Sequence, residues 1–191
     1  LGMIGILPAR KGYFRALRIL ERLRRIDARY ILEVYGTGPQ DTPWVRGDSK
    51  EMAYFAECDA FIQANGLVGA VRHHGHSDIR QVLAQHGTGI ILSLSDSVRE
   101  FPCSESFHLA VADGFASGGV GLVRYWEGAE FVWPSRFILE DDESLIERIL
   151  AYGRDLDFYQ RDSDFGARFV ESAYGVERFV STFRNLFRQT A

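Results

Sequence analysis

The stretch MIGILPARKGYFRALRILERLRRIDARYILEVYGTGP, residues 3–39, decides the fold of this chain. Met3 to Leu7 is a short apolar run ended by proline, the pattern of a buried strand. From Gly12 to Arg25, the residues Ala16, Leu17, Ile19, Leu20 and Leu23 form an apolar stripe at helical spacing, with arginines outside it. Tyr30 to Tyr35 is strand-like again, and the turn residues GTGP at 36–39 close it. Strand, helix and strand in one continuous run predict a parallel pair with a helical crossover.

The alternation continues along the chain. Asp48 with Glu51 three residues later resembles a capping box and predicts a helix to about Ala64. Val71 to His74 reads as a third strand, and Asp78 to Gln85 as a short helix capped by Ser77. Gly89 to Leu94 (GIILSL) is the clearest strand, followed by a polar loop over 95–105 and a helix from Phe107 to Ala116. Val120 to Val123 and Phe137 to Leu139 complete about six strands, and helices over 142–152, 160–173 and 176–188 fill the tail. The fold class is therefore α/β, a doubly wound, Rossmann-like parallel sheet with helices on both faces. No repeat, low-complexity tract or linker divides it, so one domain spans 1–191. In such sheets ligands bind beyond the C-terminal ends of the strands, which singles out loops 7–12, 36–41 and 94–107.

Composition narrows the partners. The chain has 191 residues, 46% hydrophobic and 25% charged, enough for one large core without staples. A net charge of −4 argues against nucleic acid as a partner, although local cations can hold a small anion. Cys58 and Cys103 have no metal or redox spacing and fit a reduced, cytosolic setting. No apolar run approaches the roughly 18 residues that span a bilayer. The chain enters a strand almost at once, without an initiator methionine, which predicts a piece of a longer protein.

Two segments carry candidate chemistry. PARKG places Arg10 and Lys11 at a strand end beside Gly12, where cations and helix amides can meet a phosphate; two solvated surface charges would look the same. ESFHLAVADGFASGG, residues 105–119, sets Glu105 before the N-terminus of a helix and Asp113 within it. Eight residues at helical rise span roughly 12 Å, the length of an extended sugar–diphosphate–ribose. The amides of Phe107, His108 and Leu109 would face the middle of such a ligand, where the diphosphate lies. An acid at the phosphate would repel it, so Glu105 is expected to accept from a sugar and Asp113 from a ribose. An exposed acid pair is the plain alternative.

The segment ESFHLAVADGFASGGVGLVRYWEGAEFV resembles the donor-site signature of retaining glycosyltransferases of the GT-B fold, the glycosyltransferase family 4-like or group 1 enzymes. GILPARKG resembles their opening strand–lysine–glycine segment, and LEVYGTGPQ their G-x-G-P turn, in the same order over about residues 3–150. The resemblance implies the C-terminal, nucleotide-sugar-binding lobe of a two-lobed enzyme, with the acceptor lobe outside this chain. It implies that Lys11, with Arg10, holds the donor diphosphate and that Glu105 lies by the donor sugar. Asp113 would bind the ribose, while Gly5, Gly36, Gly38, Ser106, Phe107, His108, Leu109 and Gly128 line the donor site. The activity implied is retaining sugar transfer from a nucleoside diphosphate to a glycan or lipid-linked acceptor. It needs no metal or other cofactor, and its setting is cytoplasmic or peripheral to the inner face of a membrane. The sequence departs from the pattern at Ile6, where the family often has arginine, at Asp113 in place of glutamate, and at His108 in place of glycine.

His73, His74 and His76 in VRHHGH look like metal ligands, but no neighbouring Cys or Asp completes a set, and His76 is expected at a strand end near the nucleotide base. Ser95, Ser97 and Ser104 lack a nucleophile-elbow motif. GTGPQ is an incomplete dinucleotide fingerprint. Val176, Phe179, Val180, Phe183, Leu186 and Phe187 form an apolar helical stripe, which either packs on its own domain or is left exposed for the other lobe or a dimer. A sugar phosphorylase, an epimerase and a non-catalytic scaffolding domain share this fold and stay open as alternatives.

Overall fold

In a computed structural model that describes residues 1–95 and 107–189, six strands form one sheet. They are β1 (Gly2–Ile4), β2 (Leu32–Tyr35), β3 (Val71–His73), β4 (Ile90–Ser93), β5 (Val120–Arg124) and β6 (Ile138–Leu139). All pairs are parallel, in the order β3-β2-β1-β4-β5-β6. The helices are α1 (Tyr13–Ile26), α2 (Pro43–Arg46), α3 (Ser49–Ala64), α4 (Ile79–Gln85), α5 (Leu109–Ala116), α6 (Asp142–Arg154), α7 (Leu156–Tyr174) and α8 (Val176–Gln189). This is the predicted doubly wound α/β sheet.

The stripe on α1 does what its spacing predicts: Ala16, Leu17, Ile19, Leu20 and Leu23 are all fully buried against the sheet and against α3 and α6. On the other face Tyr35, Ile91 and Leu83 form a smaller core beneath α4, with Ile4 and Ala110 at its margin. The parallel strands read as apolar runs because both faces are covered.

Several boundaries differ for local reasons. β1 stops at Ile4, short of the predicted Leu7, because Gly5 takes a left-handed φ of 74°. The short helix α4 is capped by Asp78, whose carboxylate accepts from the Arg80 N–H, not by Ser77. At α3, Asp48 caps as expected, accepting from the Lys50 and Glu51 amides, but no reciprocal bond from Glu51 is formed. Glu51 instead accepts from the Ala9 N–H at 2.8 Å. The helix expected from Phe107 starts at Leu109, with His108 at its cap. The helix expected over 160–173 begins earlier, at Leu156, capped by Asp155. None of the described helices is long and apolar enough to cross a membrane.

Candidate functional site

The strand order reverses between β1 and β4, so the loops leaving their C-terminal ends run to opposite faces and leave a crevice. A cavity of about 340 Å³ lies there, floored by Met3, Ile4 and Gly5 of one strand end and Leu92 to Ser95 of the other. Lys11 reaches it from one side, and Phe107 to Ala110 with Asp113 close the other.

The lysine loop is held from three directions. After Gly5 the chain passes a cis Leu7–Pro8 bond and makes a single 3₁₀ turn over Ala9–Lys11. Gly12 then sits at φ 81°, so close to β4 that a Cβ there would lie 2.3 Å from the Leu94 carbonyl oxygen. Only glycine meets both conditions. Glu51 fastens the Ala9 amide, and the Tyr54 hydroxyl accepts from the Phe14 N–H at 2.8 Å. Helix α3 therefore carries the loop that aims Lys11. Burial, and then the neighbouring Arg10 charge, push the Lys11 ammonium below its usual pKa. A cation in that state gains most from an anionic partner.

Across the cavity, the first-turn amides of α5 lack partners within their own helix and carry the positive end of its dipole. His108 holds the N-cap in a left-handed conformation, φ 57°, which a non-glycine residue adopts at a cost. The cost is met by contacts: its ring stacks on Trp126 at 5.5 Å and 4°, and its Nδ1 hydrogen-bonds the Ser93 hydroxyl. Burial, then the charges of Lys11 and Arg10, push its pKa down to about 3, so the imidazole is neutral at pH 7. It is only 5% exposed, and its Nε2 finds no hydrogen-bond partner among the described residues. Phe107 does not belong to the helix; its carbonyl accepts from the Trp133 indole N–H, and its ring packs on Trp133 and Tyr174. The helical amides available at this end thus belong to residues 109 and 110, with the helix starting two positions later than predicted. Asp113 lies one turn further in, half-buried, with its carboxyl pKa raised by burial.

Of the predicted site residues, one cavity brings together Gly5, Lys11, Phe107, His108, Leu109 and Asp113. Gly36 and Gly38 line an adjoining cavity of about 370 Å³ with Ile6, Tyr13 and Gly75; Gly36 abuts Gly5, where a Cβ would lie 3.4 Å from the Gly5 Cα. His76 is exposed on the loop after β3, and Arg10 is beside Lys11 but lines neither cavity. Gly128 packs under the Trp126 ring, which in turn covers His108, so the loop of residues 126–129 (WEGA) reaches the site through its tryptophan. Glu105 and Ser106 lie outside the described residues. Ser93 and Ser95 also line the cavity; the only signal for Ser93 in the sequence is a polar side chain near the end of the apolar run GIILSL.

A cation, a helix N-terminus and a buried neutral imidazole around one crevice, with a carboxyl deeper in, suit an anion flanked by hydroxyl groups.

The architecture has close counterparts among solved structures. The chain superposes on HepE (Alr3699) of Anabaena, solved in complex with UDP, with a TM-score of 0.76 at 16% identity, covering 98% of this chain and 48% of that one. TarM of S. aureus, solved with UDP, Fondaparinux and alpha-GlcNAc-glycerol, gives a TM-score of 0.71 at 14% identity over 97% of this chain and 34% of that one. The C-terminal domain of the glycosyl transferase group 1 family protein LpcC of Francisella tularensis gives 0.66 at 13% identity, covering 92% of this chain and 84% of that domain. The chain thus has the fold of the C-terminal domain of GT-B glycosyltransferases. It spans between a third and a half of the length of TarM and HepE, and most of the isolated LpcC domain. No family model and no curated protein sequence matches it.

Proposed function

We propose that the chain is the donor-binding lobe of a glycosyltransferase that moves a sugar, with retention of configuration, from a nucleoside diphosphate to a glycan or lipid-linked acceptor. The observation that carries this reading is the meeting of Lys11, the N-terminus of α5 and Asp113 in one cavity at the switch point of the sheet. In this reading Lys11 and the helix amides bind the diphosphate, and Arg10 adds longer-range positive potential. As the sugar–phosphate bond breaks, charge grows on the leaving diphosphate, and these preorganised donors stabilise it without a metal ion. Asp113 accepts from the ribose hydroxyls, and Glu105 positions the sugar. The adjoining Gly36–Gly38 cavity offers room for the base. Solved counterparts that hold UDP support UDP as the first nucleotide to test.

The acceptor would come from a second lobe. Helix α8 leaves Val176, Phe179, Phe183, Leu186 and Phe187 between 44% and 71% exposed, an apolar face suited to such a lobe or to a second copy. A scaffolding role is the second reading; it is favoured by Ile6, which is buried in the core and supplies no charge where the family often has arginine.

Thermal melting of the chain with UDP, GDP, ADP and TDP, each with and without EDTA, tests the proposal. A nucleotide at a hundredfold over its Kd adds about 2.7 kcal/mol. That is a rise of roughly 5–10 °C for a domain of this size. A selective, EDTA-insensitive rise that shrinks in Lys11→Ala is expected. No rise with any nucleotide would favour the scaffolding reading.

A further inference from the structure

On the far side of β2 from α1, the fold gathers three residues that are scattered in sequence: Glu33 in β2, His74 just after β3, and His86 at the C-cap of α4. One potential ligand atom from each lies within 4.8 Å of the others. The Glu33 carboxylate is only 3% exposed, in the middle of a sheet where a lone charge is costly. Its Oε2 meets His74 Nε2 at 2.5 Å, while Oε1 accepts from the Arg72 guanidinium at 3.1 Å. The His74 and His86 rings lie 4.3 Å apart between centroids. His86 Nδ1 is 3.1 Å from the Tyr35 hydroxyl, which also bonds Thr88 Oγ1 at 2.8 Å.

We infer that Glu33, His74 and His86 form a binding site for a divalent transition-metal ion of the zinc class, separate from the candidate donor cavity. Two imidazoles and one carboxylate are the ligand set such an ion takes, with solvent completing a tetrahedron. The ligand atoms of a tetrahedral zinc site are about 3.3 Å apart. To reach that spacing the Glu33–His74 pair, now at 2.5 Å, would open by under ~1 Å and the exposed His86 ring would turn toward it. The hydrogen bonding supports the same assignment. Tyr35 occupies Nδ1 of His86, which directs Nε2 to the ion, and Arg72 occupies the carboxylate oxygen that the ion does not need. The ion would pin both ends of the segment between β3 and β4 onto β2. His74 immediately precedes Gly75, whose carbonyl accepts from the Gly36 N–H at 2.7 Å, so the brace extends to the wall of the adjoining cavity.

Titration of the metal-free chain with Co²⁺, followed by its visible d–d absorption and competed with Zn²⁺, tests this. We expect saturation at one equivalent with a tetrahedral spectrum, and a rise in melting temperature with Zn²⁺. His86→Ala, at an exposed position, should weaken binding at least tenfold, as should His74→Gln, whereas His76→Ala should leave it intact. A folded chain that shows no saturable absorption, or one whose affinity His86→Ala leaves unchanged, overturns the assignment and makes the cluster a hydrogen-bonded brace only. The cobalt absorption reports the ligand set directly and needs no nucleotide, so a failed nucleotide assay leaves this test intact.

Discussion

Two regions of this molecule use histidine in opposite ways. At the switch point, His108 is buried next to Lys11 and Arg10, is held neutral, and has an aromatic ring rather than an acid against its face. On the β2–β3 side, His74 and His86 are more exposed and close on a buried carboxylate. The first environment repels positive charge and presents donors, so it suits an anion. The second gathers two imidazoles and a carboxylate oxygen within 4.8 Å of one another, so it suits a cation. The residue type is the same; the sign of its neighbours differs.

The sharpest test of this contrast is pH. His108 is pushed down to about 3 when folded, against about 6.5 for an unfolded histidine. The unfolded chain binds this proton first as pH falls, so the contribution is fully present above pH 6.5 and is lost between there and about pH 3. The slope approaches about 1.4 kcal/mol per pH unit, on the order of 5 kcal/mol in all. Asp113, raised by burial, works in the opposite direction: its contribution is lost as pH rises through the carboxylate range. Urea unfolding across this window should show the His108 loss, and His108→Asn should flatten it; equal slopes for both chains would break the contrast.

Next in size is Gly12→Val. The added side chain meets the Leu94 carbonyl and an unfavourable φ, so a loss of about 3 kcal/mol is expected, along with the nucleotide-induced rise in melting temperature. Lys11→Met should keep the fold and weaken UDP binding by about tenfold, or about 1.4 kcal/mol, by calorimetry. Glu51→Ala removes one buried-end hydrogen bond to Ala9 and should cost about 1 kcal/mol in denaturant unfolding. Its effect on UDP affinity would show whether α3 truly aims the lysine loop. Smallest of all, His86→Ala in metal-free buffer should change stability by no more than about 1 kcal/mol, since at an exposed position it removes one Tyr35 hydrogen bond and ring contacts with Tyr35 and His74. A large loss there would mean that the cluster is a structural network before it is a site.

Much of this architecture was legible in the order of the residues. The α1 stripe, the GIILSL strand and the Asp48 cap each report a local preference, and local preferences survive in the folded chain. The βα-loop rule also pointed to the loops that border the candidate cavity. Where the reading slipped, a distant partner was responsible. Glu51 looked like half of a capping box, but its carboxylate is claimed by an amide 42 residues away. Phe107 looked like the first helical residue, but its carbonyl and ring are held by Trp133. His74 was read with its neighbours His73 and His76, although its partners are Glu33 and His86.

The sequence by itself determined the alternation of strands and helices, the parallel sheet, and which loops lie at its C-terminal edge, because apolar periodicity and turn chemistry act over a few residues. Only the tertiary structure decided which side chains meet: Lys11 with His108, Ser93 with His108, and Glu33 with both of its histidines. Those meetings depend on strand order and crossover packing, which bring together positions 15 to 97 residues apart, and no local pattern encodes a distance of that kind.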